Sequence, residues 1–217
     1  MGVTHPRWPR VLFDLDGTVV DTVPLIIESY AHAINEVLGL ALDEARARRW
    51  IGRALIDTFQ EEYPGHAEEL FEAYVEFNKT AAPSLLRRVD GMESAIDSLA
   101  RAGVRVGIAT SKRRSSAMQT LELAGLGTAF DVVVTAEDTD AHKPEPDPLW
   151  LAAGRLGGDG PVAYVGDAVV DIQAAKAAGF VPVAVTWGAG DVNELRAAHP
   201  DEIVRTTAEL VHLVLGG

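Results

Sequence analysis

Six side chains in this sequence, Asp14, Asp16, Thr110, Lys143, Asp167 and Asp171, are of types that could do chemistry together. Asp14 and Asp16 close the apolar run Val11-Leu12-Phe13 and are followed at once by Gly17 and Thr18. An apolar run that ends in acids carries a desolvation cost that ordinary strand ends avoid. Thr110-Ser111-Lys112 ends a second apolar run, and His142-Lys143-Pro144 follows a third. Gly166-Asp167 ends a fourth, with Asp171 four residues later. Four carboxylates, a hydroxyl and an ammonium suit cation binding, acid–base exchange and the holding of anionic oxygens. Each residue also has a plainer reading. Asp14 and Asp16 could be turn formers, Thr110 a helix cap and Lys143 a solvated surface lysine.

The choice between these readings depends on the elements that would position the four ends. The pattern predicts strands over residues 11–13, 104–110, 130–134, 161–165 and 181–185. Helices are predicted over 92–102, 115–124, 148–156, 168–178 and 207–215, with Gly103, Gly125 and Gly179 as stop signals. Alternation of this kind predicts an α/β fold with a doubly wound parallel sheet. Ligands of such sheets bind beyond the carboxyl ends of the strands, so all four chemical ends would meet at one edge. Residues 22–85 contain no convincing strand. A helix runs to Gly39, with Asp21 or Thr22 as its N-cap and Pro24 in its first turn. Further helices are predicted over 43–51, 55–63 and 66–82, interrupted by Gly52 and Pro64-Gly65. This all-helical block is an insertion between the first strand and the rest.

Composition narrows the chemistry further. A chain of 217 residues, 47% hydrophobic and 24% charged, fits one large domain or one domain with an insertion. It has no cysteine, which excludes disulfides, thiolate metal sites and a Cys nucleophile. Nineteen basic against 32 acidic residues give a net charge of −13, which argues against nucleic-acid binding. Met1 to Arg10 is polar and no apolar run is long enough to span a bilayer, so neither a signal peptide nor a membrane role is expected. A cytoplasmic location is expected. An acidic protein that handles an anionic substrate needs local positive charge from a metal ion or a few placed lysines.

The run Phe13-Asp14-Leu15-Asp16-Gly17-Thr18-Val19-Val20-Asp21-Thr22 resembles the first motif of the haloacid dehalogenase-like phosphatases. Thr110 falls at that family's second motif and Lys143, in His-Lys-Pro-Glu-Pro, at the third. Gly166-Asp167-Ala168-Val169-Val170-Asp171 falls at the fourth. The resemblance implies a Rossmann-like α/β core over residues 1–22 and 85–217, with a mobile helical cap over 23–84 like that of phosphoglycolate phosphatases. The stretches Ile51-Gly52-Arg53-Ala54-Leu55-Ile56-Asp57-Thr58-Phe59 and Phe130-Asp131-Val132-Val133-Val134-Thr135 resemble bacterial pyrophosphatases of the same subfamily.

Roles follow from that resemblance. Asp14 is the expected nucleophile, forming an aspartyl phosphate. Asp16 is the expected general acid and then general base. Mg²⁺ is the expected cofactor, held by Asp14, Asp167 and the backbone carbonyl of Asp16, with Asp171 direct or through water. Thr110 and Lys143 would bind the transferring phosphoryl group, helped by backbone amides of the Leu15–Thr18 turn (Gly17, Thr18) and of Ser111. Arg53, in the cap segment that resembles a specificity loop, is a candidate substrate contact or else a solvated loop residue. Asp16 points to phosphate chemistry, since relatives that displace halide or cleave carbon–phosphorus bonds lack an acid there. The expected partner is a small phosphorylated metabolite, phosphoglycolate and pyrophosphate among them, and the chain a monomer or homodimer. Two alternatives stay open: a phosphomutase on the same core, and a phospho-accepting signalling domain. In the latter, the Lys-Pro pair follows the last acid, whereas here Lys143 precedes Asp167.

Overall fold

A computed structural model describes residues 6–216, and the expectation drawn from residues 1–5 lies outside them. The chain begins with β1 (Arg10–Phe13) and β2 (Val20–Asp21), then enters four helices: α1 (Val23–Leu38), α2 (Glu44–Arg48), α3 (Leu55–Glu62) and α4 (Ala67–Leu85). It returns through β3 (Arg87–Arg88) and alternates through α5 (Met92–Arg101), β4 (Arg105–Ala109), α6 (Arg114–Ala124) and β5 (Val132–Val134). Then come α7 (Asp147–Leu156), β6 (Val162–Gly166), α8 (Val169–Ala178), β7 (Val181–Val185), α9 (Val192–Ala197), β8 (Glu202–Val204) and α10 (Thr207–Leu215).

Six strands form one parallel sheet in the order β5-β4-β1-β6-β7-β8. Alternation along β1 sends Val11 and Phe13 to one face and Leu12 to the other. The first face packs against α5, α6 and α10 through Ile96, Leu99, Leu121 and Leu210. The second packs against α7 and α8 through Leu149, Leu156 and Ala175. Fully buried side chains of this size contribute roughly 1.5–3 kcal/mol each, so burial on both faces holds the sheet and its helices together. Register then fixes the site, because Phe13 lies opposite Ile108 on one side and Val165 on the other. The residues that follow these strands therefore emerge side by side.

Helices α1–α4 enclose a core of their own, centred on Tyr30, whose ring meets Trp50, Phe59 and Tyr74 edge-on at centroid distances of 5.1, 5.5 and 4.8 Å. The block leaves and rejoins the sheet through an antiparallel ribbon in which Val20 pairs with Arg88 and Asp21 with Arg87. Two local details differ from expectation. Thr22 is the N-cap residue of α1, but its hydroxyl makes no cap and donates to Asp16 instead. Helix α4 continues through Pro83 to Leu85. The carbonyl of Lys79, which a residue with an N–H at position 83 would engage, accepts from Gln119 Nε2 on α6 at 3.2 Å. Helix α9 and strand β8 lie beyond the predicted elements, and β8 supplies the sheet's last edge.

Candidate active site

Asp14 follows β1 and is almost fully buried, its N–H donating to the Val165 carbonyl of β6 at 2.9 Å. Lys143 reaches it from the loop before α7. The Lys143 ammonium donates to Asp14 Oδ1 at 2.8 Å, Asp171 Oδ1 at 2.7 Å and the Tyr164 hydroxyl at 3.1 Å. An ammonium has three protons, and here each has an acceptor. The Tyr164 hydroxyl is itself fixed, donating to the Ala109 carbonyl at 2.7 Å. Asp171 is held at its other oxygen by the N–H of Ala168 at 2.9 Å, at the start of α8. Burial pulls the Lys143 pKa down, but Asp14 and Asp171 outweigh it and hold it well above the ordinary lysine range.

Asp167 follows β6. Its Oδ1 accepts from the Thr18 hydroxyl at 2.8 Å and its Oδ2 from the N–H of Ala189 at 2.6 Å, in the loop after β7. Glycine is required on both sides of this carboxylate. A Cβ on Gly17, whose φ is +81°, would meet Asp167 Oδ2 at 2.4 Å, and one on Gly188 would meet it at 2.2 Å. Trp187 closes the loop by donating Nε1–H to the Thr18 carbonyl at 3.0 Å.

Asp14, Asp167 and Asp171 each offer an oxygen within 4.8 Å of the others, and all three are buried. Burial pushes Asp14 up to about 7 against the pull of Lys143, with Asp171 and Asp16 adding to the rise. Burial likewise pushes Asp167 up to about 8, reinforced by Asp171 and Asp14. One lysine does not neutralise three crowded carboxylates, and a hard divalent cation would supply the missing positive charge. The donor set fits such an ion.

Asp16 points away from this cluster. Its Oδ1 accepts from the Thr22 hydroxyl at 2.7 Å and from Lys112 Nζ at 2.9 Å, and Lys112 also reaches Oδ2 at 3.2 Å. Thr110 is buried beside it, with its N–H on the Val134 carbonyl and its hydroxyl accepting from the N–H of Lys112 at 3.2 Å. The N–H of Gly17 donates to the Val20 carbonyl at 2.8 Å, so this glycine contributes room rather than a donor. The Thr18 side chain serves Asp167. Ser111 donates its hydroxyl to the Gly52 carbonyl at 2.9 Å, joining the core to the helical block. Arg53 lines the same space but is paired with Glu61.

The structure thus brings Asp14, Asp16, Thr110, Lys143, Asp167 and Asp171 to one sheet edge. Beside them, a cavity of about 360 Å³ opens toward the helical block. Sequence reasoning missed four participants: Lys112, Tyr164, the Trp187–Ala189 loop, and the contact of His142 Nδ1 with Asp57 of α3 at 2.9 Å. Lys112 had a visible signal, standing two residues after a strand-end threonine. The glycines of the 187–190 loop were another.

The family model described as haloacid dehalogenase-like hydrolase matches residues 11–185. The chain is 34% identical over 212 residues to pyrophosphatase PpaX of Bacillus velezensis, covering 97% of this chain and 98% of that protein. It is 32% identical to pyrophosphatase PpaX of Bacillus pumilus over 205 residues, 94% of this chain and 95% of that one. The crystal structure of a predicted phosphatase from Clostridium acetobutylicum superposes with a TM-score of 0.87 at 27% identity, covering 97% and 99% of the two chains. With the strand-end residues set as above, the chain belongs to the haloacid dehalogenase-like hydrolase family, on its phosphatase branch.

Proposed function

We propose that the chain is a Mg²⁺-dependent phosphatase of small phosphate esters or anhydrides that works through an aspartyl phosphate on Asp14. One observation carries this reading: Asp14 stands between a lysine whose three protons are all committed and two further buried carboxylates. A carboxylate used only for structure needs one partner, not a crowd of like charges. Asp14, Asp167 and the carbonyl of Asp16 would hold Mg²⁺, with Asp171 direct or through water. The bound ion supplies positive charge against the phosphoryl oxygens.

In the first half-reaction an Asp14 oxygen bonds to phosphorus, the bond from phosphorus to the leaving oxygen breaks, and Asp16 gives that oxygen its proton. In the second, Asp16 takes a proton from water as the water oxygen bonds to phosphorus. The bond to Asp14 breaks, and inorganic phosphate leaves. Lys143, fixed by Asp171 and Tyr164, orients Asp14 and would turn its third proton from Asp14 to the phosphoryl oxygens as Asp14 bonds to phosphorus, joined by the Thr110 hydroxyl and the Ser111 amide. The backbone of the Gly17–Thr18 turn approaches them from the other side. We assign residues 1–22 and 85–217 to the catalytic core and 23–84 to a cap that excludes water on closing. Arg53 contacts a substrate only after leaving Glu61. The named activity of the Bacillus relatives puts pyrophosphate among the substrates to assay.

The test is acid-quenched labelling with and without Mg²⁺. A phosphoenzyme that forms only with the metal, and not in Asp14→Asn, is the expected result. Undiminished phosphate release in excess chelator, or label in Asp14→Asn, overturns the reading.

A further inference from the structure

The cavity beside Asp14 and Asp16 is built for more than a phosphoryl group. Its volume of about 360 Å³ lies in the range of pockets that enclose organic ligands, roughly 300–1,000 Å³. The helical block lines it mainly with apolar side chains, Tyr30, Trp50, Leu55, Ile56, Phe71 and Val75, beside Arg53 and Asn78. Phe71 and Val75 stand one turn apart on α4, and with Leu55 and Ile56 they are only half-buried, so their apolar surface faces the open space.

The cations around the cavity are already paired. Among the described residues that line it, Lys112 is paired with Asp16, Arg113 with Glu137 at 2.9 Å, Arg53 with Glu61 and His142 with Asp57 at 2.9 Å. Arg113 also lies over the Phe71 ring, 5.4 Å from its centroid. A second phosphoryl group bound here would have to draw a cation off its carboxylate and would leave that carboxylate beside it. An apolar group displaces only water and covers the exposed faces of Leu55, Phe71 and Val75. The exposed ion pairs are individually weak, so they would not bar an anion by themselves. The deciding feature is the half-buried apolar surface of Leu55, Ile56, Phe71 and Val75, which gains nothing from an anion and gains with every methylene.

We infer that the leaving group is an apolar organic moiety, making the substrate class monophosphate esters of aliphatic or aromatic alcohols rather than anhydrides. The inference rests on the phosphatase reading and deepens it. A series of n-alkyl monophosphates, ethyl through hexyl, tests it, because the leaving oxygen stays chemically constant while the buried chain grows. We expect kcat/KM to rise about two- to fourfold per methylene, the upper figure matching full burial of each group. Hexyl phosphate should exceed the bisphosphate of the six-carbon diol at least tenfold, since only the far end differs. The hexyl-to-ethyl ratio should collapse in Phe71→Ser and in Val75→Ser. That ratio is read within one variant, so a general loss of folded enzyme does not affect it. A flat or falling series, a preference for the bisphosphate, or an unchanged ratio in both variants overturns the inference while leaving the phosphatase reading intact. No hydrolysis of any ester or of pyrophosphate with Mg²⁺ would overturn the phosphatase reading, and the inference with it.

Discussion

Lys112 Nζ lies 2.9 and 3.2 Å from the two carboxylate oxygens of Asp16, with both side chains nearly buried. An ammonium and a proton compete for the same oxygens. On the proposed mechanism Asp16 gives a proton to the leaving group, so its contact with Lys112 would loosen in that step, and bound phosphoryl oxygens would offer Lys112 another partner. Lys112→Met keeps the apolar stem and removes the charge. We expect kcat/KM for alkyl esters to fall about 10- to 100-fold, the value of a charge-assisted hydrogen bond of about 1.5–3 kcal/mol. The loss should be larger for an ester with a very good leaving group, because removing Lys112 also frees Asp16 to carry the proton that an alkyl ester needs and a good leaving group does not. Steady-state kinetics on the two substrate types checks this, and equal losses would place Lys112 on the phosphoryl group alone.

Asp14→Asn should abolish turnover without unfolding the chain. An amide does not attack phosphorus, while Lys143 keeps its bond to Asp171 at 2.7 Å. Removing one of three crowded acids also relieves repulsion. The metal-free variant should accordingly melt no lower than the metal-free parent at pH 8. Thermal melts and acid-quenched labelling report the two effects separately. Activity above a few per cent, once deamidation is excluded by mass spectrometry, removes Asp14 from the nucleophile's role.

Protons and the metal ion should compete for the same cluster. Asp14 and Asp167 are raised from 3.8 to about 7 and about 8, so the folded metal-free chain holds protons that the unfolded chain has lost. Its stability is greatest below about pH 4 on this account and falls as pH rises through about 8. Mg²⁺ replaces those protons. The rise in Tm on adding Mg²⁺ should therefore be larger at pH 8.5 than at pH 6, measured by calorimetry against a chelator control. A gain independent of pH would show that the ion binds elsewhere.

Asp138 gives the opposite sign. It accepts from the N–H and hydroxyl of Thr135, both at 2.8 Å, from Arg155 at 2.9 Å and from Arg114, tying the turn after β5 to α6 and α7. Burial raises its pKa, but these donors outweigh burial and lower it to about 2. Its contribution is present above about pH 4 and is lost as pH falls toward 2. Asp138→Asn should cost about 1–2 kcal/mol at neutral pH, and the gap to the parent should narrow by about half at pH 3. Urea midpoints at pH 7 and pH 3 measure it. A gap that widens in acid would refute the sign.

The sheet edge was legible because each central strand is an apolar run that stops on a residue able to do chemistry. Parallel strands need no further information to bring such ends together. The partners of those residues were less legible. Lys112 and Asp16 are 96 positions apart, and spacing does not say which cation faces which acid. Thr22 has the type and position of a helix cap, yet its hydroxyl is claimed by Asp16, a contact fixed by tertiary structure. Helix α9 and β8 span six and three residues, too short for a periodic signal. The Gly188–Ala189 approach to Asp167 depends on how the chain leaves β7, which no local pattern encodes.

The ribbon of β2 and β3 has a consequence for how such chains diversify. Because Val20 faces Arg88 and Asp21 faces Arg87, the chain departs from the sheet and returns to it at neighbouring points. Whatever lies between those points closes a loop that the sheet has already closed, and lengthening a closed loop adds little entropy cost. A lineage can therefore exchange, enlarge or shrink the helical block while every strand keeps its neighbour. The carboxylates at the sheet edge stay in register through such changes. New substrates become reachable by editing one continuous stretch of gene, with the machinery that cleaves them inherited whole.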